Sequence, residues 1–76
     1  MAPSPRQRDA LRVILEFIAA HGYAPSHRDL ADLLGYSTGT TARDMVLTLH
    51  RKGLIHRDPA TARSMRLTAD GEAAIQ

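Results

Sequence analysis

The stretch SHRDLADLLGYSTGTTARDMVLTLHRKG, residues 26–53, carries two helix signals in quick succession. Ser26 is placed to cap the first helix, and Asp29, three residues on, falls near the positive end of its dipole. Leu30, Ala31, Leu33 and Leu34 supply the apolar side of this short helix, and Gly35 stops it. Tyr36-Ser37 then turns a tight corner to Thr38, whose hydroxyl suits the cap of the next helix. Ala42, Met45, Val46 and Leu49 recur at helical spacing and predict a buried stripe. Arg51-Lys52 meet the negative end of that helix's dipole before Gly53 terminates it. Two helices joined by a short turn behind a glycine, with small alanines at the crossing, form a helix-turn-helix pattern.

Working outward, Ser4, Pro5 and Gln7 predict the start of a first helix: a cap, a proline at the first helical position and the partner of a capping box. Leu11, Ile14, Leu15 and Ile18 follow helical spacing, Ala10, Val13 and Phe17 widen the stripe, and Gly22 ends it. Tyr23-Ala24-Pro25 is the turn into Ser26. Downstream, residues 54–57 read as a strand, 58–62 as a turn-rich tip and 63–67 as a returning strand. In that second strand Met65 and Leu67 face inward, while Ser64 and Arg66 face outward. Thr68 caps a last short helix spanning 69–75, which Gly71 weakens. The expected fold is mainly α with a small β-hairpin: a three-helix core with a wing, the winged helix-turn-helix.

At 76 residues the chain is expected to form a single domain, residues 1–76, with no room for a catalytic cleft beside its core. There is no cysteine, so neither a disulfide nor a thiolate metal site can staple the fold. No apolar run approaches the roughly 18 residues needed to cross a bilayer, and the N-terminus lacks a secretory signal. A soluble, cytoplasmic, nucleoid-associated protein is therefore expected. Net charge is only +2, but it is unevenly placed. Residues 1–36 are balanced, whereas Arg43, Arg51, Lys52, Arg57, Arg63 and Arg66 outweigh Asp44 and Asp58 in residues 37–66. Nearly all the cations are Arg, whose planar fork suits phosphate and guanine edges.

These residues resemble a known family. Arg6-Gln7, Ile14, Ile18, Gly22, Pro25, Ala31, Leu34-Gly35, Ala42, Leu49 and Arg51-Lys52-Gly53 fall at the spacing of the N-terminal DNA-binding domain of LexA-type repressors. Ile55, Arg63 and Arg66-Leu67 continue the match through the wing without a gap, so that it covers roughly residues 4–67. The resemblance implies a bacterial or phage transcriptional regulator, most simply a repressor. The family's C-terminal peptidase domain, with its Ser/Lys dyad and main dimerisation surface, has no counterpart here, and Lys52 is the single lysine. The reading helix also departs: the family's Ser-Pro-Asn-Ala-Ala-Glu-Glu is here Thr38-Gly39-Thr40-Thr41-Ala42-Arg43-Asp44.

In a helix-turn-helix the leading part of the second helix enters the major groove, where base edges present distinct donor and acceptor patterns. Thr40, Thr41, Arg43 and Asp44 occupy that part and are the expected base-reading residues. Arg43 can fork onto guanine, Asp44 can accept from cytosine, and the threonines can serve either base or touch a thymine methyl. Ser26, His27 and Thr38 at helix starts, and Arg57, Arg63 and Arg66 of the wing, are the expected phosphate or minor-groove contacts. Arg63 is the strongest of the wing candidates. The expected partner is double-stranded DNA, with pairing of two copies on a two-fold operator and no membrane.

Other chemistries find little support. His21, His27, His50 and His56 lack helical i, i+3 or i+4 pairing with one another, so no metal site is expected. No glycine-rich phosphate loop implies a cofactor, and Ser26, His27 and Asp29 on one short helix lack a pocket or oxyanion hole, so no enzyme is expected. Two alternatives stay open. One is a winged helix that docks proteins without binding DNA specifically. The other is the isolated DNA-binding fragment of a longer self-cleaving repressor, against the expectation that Met1 and the C-terminus just past the last helix mark a complete short gene product.

Overall fold

A computed structural model describes residues 3–58 and 64–76. Six elements follow in order: α1 Pro5–His21, α2 His27–Leu34, α3 Gly39–Arg51, β1 Ile55–His56, β2 Arg66–Leu67 and α4 Ala69–Ala74. With three packed helices, a hairpin and a closing helix, the fold is the winged helix-turn-helix.

Local chemistry sets the helix starts. At α1 the Ser4 hydroxyl accepts from the Gln7 amide at 3.3 Å, and the Ser4 amide donates to Gln7 Oε1 at 3.0 Å. The same reciprocal box joins Ser26 and Asp29 at α2, with Asp29 accepting through its carboxylate rather than only meeting the dipole. Thr38 and Thr68 cap α3 and α4 in the same manner, each hydroxyl accepting from the amide three residues on. Gly35 takes φ 74° at the end of α2, the left-handed conformation that closes a helix without a Cβ penalty, and the chain turns there toward α3.

The helices are held together by one core. Leu11 and Ile14 of α1, Leu30 of α2, Val46 and Leu49 of α3 and Ile55 of β1 are its largest fully buried side chains. Ala31 and Ala42 are also buried, which brings the α2 and α3 backbones close at their crossing. The expected stripe is wider than the buried one: Leu33 is 54% exposed, at the edge of α2 beside Val13 and Phe17 of α1. Tyr23 is also largely exposed, its ring edge-on to Phe17 at 5.8 Å.

The hairpin is shorter than its sequence suggests. Residues 54–57 and 63–67 read as strands, but the ladder pairs Ile55 with Leu67 and His56 with Arg66. Met65 is buried and Arg66 exposed, as the alternation predicts. Ser64 does not simply face outward: its hydroxyl accepts from the Asp58 amide and donates to the Asp58 carbonyl, both at 2.9 Å. This side-chain clasp stands where further ladder bonds were expected. Closing the molecule, the Thr68 amide and hydroxyl bind the Leu54 and Gly53 carbonyls at 3.0 Å and 2.7 Å. α4 is therefore docked on the strand entry. Gly71, which reads from sequence as a weak point in that helix, is a buried contact against Leu54.

Candidate nucleic-acid interface

The leading edge of α3 is an exposed polar surface. Thr38, Gly39, Thr40 and Thr41 are all exposed, as are Arg43 and Asp44, whereas Ala42 between them is fully buried. One buried alanine thus anchors the edge and leaves its neighbours on the outside of the fold. Thr38 and Thr41 are tied to each other: the Thr38 hydroxyl accepts from the Thr41 amide at 3.4 Å, and the two hydroxyl oxygens lie 3.3 Å apart. Thr40, one residue earlier, makes no such bond.

Arg43 and Asp44 do not pair with each other. The ion pair among the described residues is Arg12–Asp9 on α1, at 3.8 Å. The Arg43 guanidinium instead extends its influence to α2, where its charge acts on the imidazole of His27. Arg57, the residue following β1, acts on the same imidazole more strongly. Burial among these elements comes first among the causes, and together the three hold the His27 pKa below its usual 6.5.

The expected site residues therefore separate into groups. The charges of Arg43, on α3, and of Arg57, just past β1, both act on His27 at the start of α2. Ser26, which precedes His27, is half-buried and engaged in its capping box. Thr38, Thr40, Thr41 and Asp44 line the exposed start of α3. Arg66 is exposed on the hairpin opposite His56 and is not among the charges acting on His27. Arg63, the foremost wing candidate, lies outside the described residues.

The sequence singles out no role for Arg6, yet its side chain lines an open groove with Gly35 and Tyr36, beside the turn into α3. Its position early in the first helix gave no signal for this, because the groove exists only once α1 and α2 pack. Among the described residues no group of three or more His, Cys, Asp or Glu side chains is arranged to hold a metal ion. No described helix is long and apolar enough to cross a membrane.

Comparison with known proteins places this geometry. The model of the LexA DNA binding domain matches residues 2–64. The LexA repressor of Bacillus velezensis is 36% identical over 72 residues, which is 95% of this chain and 35% of that protein. The LexA repressor of Mycobacterium tuberculosis is 34% identical over 74 residues, 97% of this chain and 31% of that protein. The chain thus spans about a third of the length of the repressors it matches. Among solved structures, a mutant of S. aureus MepR superposes with a TM-score of 0.69 at 26% identity, over 96% of this chain and 53% of that one. Since the family match runs from the start of α1 through the turn and α3 to the edge of the hairpin, the chain belongs to the LexA DNA-binding domain family.

Proposed function

We propose that the chain binds duplex DNA at specific sites and regulates transcription there, as a repressor. The observation that carries this reading is the exposed start of α3, anchored by Ala42, with the charges of its Arg43 and of Arg57 beside the hairpin both acting on His27 of α2. A major groove about 12 Å wide admits such a helix. Thr40, Thr41, Arg43 and Asp44 read base edges in this reading, with Arg43 forking onto a guanine. Ser26, His27, Thr38, Arg57, Arg63 and Arg66 hold the sugar-phosphate backbone and set the register. The bond between Thr41 and Thr38 makes Thr40 the freer reader of the two threonines.

One such unit contacts few base pairs, so two copies bind a two-fold site. Residues 1–76 act as one unit, in the cytoplasm on the nucleoid and without catalysis of their own. Selection of bound sequences from a random duplex library tests the proposal. The expected result is a defined motif with half-sites related by two-fold symmetry. A bound pool with no sequence bias overturns specific reading and leaves the protein-docking alternative in its place.

A further inference from the structure

Among the described residues, Leu15, Tyr23, Leu33 and Leu47 are the large apolar side chains left exposed. Leu15 belongs to α1, Tyr23 has the Phe17 ring at 5.8 Å, and Leu33 stands with Val13 and Phe17 at the open groove between α1 and α2. Leu47 differs from these because it lies on α3, whose inner side is fixed by buried Ala42, Val46 and Leu49. At about 100° per residue, Leu47 projects on the opposite side, between Arg43 and Asp44 and within about 20° of Thr40. All four of these side chains are exposed. The neighbouring Thr48 turns back on its own helix, its hydroxyl donating to the Asp44 carbonyl at 2.9 Å. One apolar side chain therefore interrupts an outer face otherwise lined by Thr40, Arg43, Asp44 and Arg51.

We infer that Leu47 is a further base-reading residue, laying its methyl groups against the 5-methyl of a thymine in the major groove. The inference rests on the duplex-binding reading and deepens it by assigning one base of the site. A leucine forms no side-chain hydrogen bond, so inside a groove it discriminates only by covering apolar surface. The thymine methyl is the apolar group that base edges display there. Contact between the two removes apolar surface of both from water, whereas a pyrimidine without the methyl leaves the leucine facing polar edges. From Arg43 to Leu47 the helix rises about 6 Å, roughly two base-pair steps where its axis follows the groove. The thymine is therefore expected close to the guanine that Arg43 forks, on the side away from the base that Thr40 meets.

A protein occupant fits this position less well than a base. Arg43 and Asp44 flank Leu47 in projection, so a second copy or another protein seated on the leucine would also have to cover both charges. In the major groove the same two side chains find partners on base edges. Single exposed leucines are common on protein surfaces. The position of this one, inside the face that enters the groove, sets it apart from Leu15, Tyr23 and Leu33.

The probe is a duplex carrying the motif that the chain selects, with copies in which one thymine at a time is replaced by uracil. That replacement removes the 5-methyl and keeps the hydrogen-bonding edge. Affinities for the intact chain are measured by fluorescence anisotropy at fixed salt. At one thymine the replacement is expected to cost about fourfold, the worth of one buried methylene-sized group. In Leu47→Ala that cost falls to near nothing, and in Leu47→Met, which keeps an apolar reach, it is retained. Each cost is a ratio of two duplexes on one chain, so a variant that folds only in part leaves it unaltered. In the intact complex, proton NMR should show an Overhauser contact between the Leu47 methyls and the methyl of that thymine. A uracil cost that is the same in Leu47→Ala as in the intact chain at every thymine, a selected motif with no fixed thymine, or an absent Overhauser contact overturns the inference and leaves duplex reading standing. A chain that selects no motif overturns specific reading itself, and this inference with it.

Discussion

Gly71 presses its backbone against that of Leu54: a β-carbon built on it would lie 3.1 Å from the Leu54 carbonyl carbon and inside contact distance of the oxygen. The same oxygen accepts the Thr68 amide at 3.0 Å, so α4 is docked by backbone on backbone. Gly71→Ala gains up to about 1 kcal/mol of helix propensity. Against this, it must lift the helix off a carbonyl that has no rotamer to yield, and overpacking of this kind costs about 1–3 kcal/mol. The clash wins because the obstacle is backbone. Thermal denaturation of Gly71→Ala should show a lower midpoint, and a raised midpoint would refute the close approach.

Gly39 is the opposite case. It is the first residue of α3, and a β-carbon there meets nothing within 4 Å. Alanine also narrows the unfolded ensemble, so Gly39→Ala should stabilise the free chain by about 0.4–1 kcal/mol. The same denaturation series checks it. Opposite signs at the two glycines separate conformational freedom from close packing.

Those two glycines also mark what was legible in the sequence. The ends of α1, α2 and α3 depend on residues within four positions of one another, such as Ser26 with Asp29, and these could be read directly. Gly71 meets a carbonyl contributed by Leu54, from before the hairpin, so no local pattern announces it. Leu33 follows the apolar spacing of α2, yet it stays exposed because α1 leaves an open groove beside it. Lys52 reads as a cation completing the α3 dipole, and it does more: its ammonium donates to Gln7 Oε1 at 2.8 Å, the atom that also accepts the Ser4 amide. The candidate site divides in the same way. The exposed threonines and Arg43 at the start of α3 follow from helical phase about Ala42, whereas the effect of the Arg57 charge on His27 depends on the folded arrangement and has no local signal.

Arg43 and Arg57 should separate base reading from backbone holding. At a site recovered by selection, Arg43→Ala is expected to cost about 1–3 kcal/mol and to relax preference at one position. Arg57→Ala is expected to weaken all duplexes to a similar degree and to reduce the slope of log affinity against log salt by about one. Titrations of both variants on the selected and a scrambled duplex measure the difference. Equal losses on both duplexes for both variants would show that the division of labour is wrong.

The pH dependence of folding gives a test of the His27 environment with no DNA present. Unfolded, the imidazole titrates near the ordinary 6.5, and folded it titrates lower, through burial and then the charges of Arg57 and Arg43. Between those two values the unfolded chain binds more protons than the folded one. Stability therefore rises with pH in that window. His27's contribution is fully present above about pH 6.5 and is lost as pH falls through the folded-state value. Urea midpoints of the free chain should fall on acidification below about pH 6.5, and His27→Gln should make that fall shallower. Arg57→Gln should do the same in part, since it removes the larger of the two charge effects on the imidazole. A His27→Gln profile that parallels the unsubstituted chain would mean that the folded imidazole is not held neutral by its neighbours.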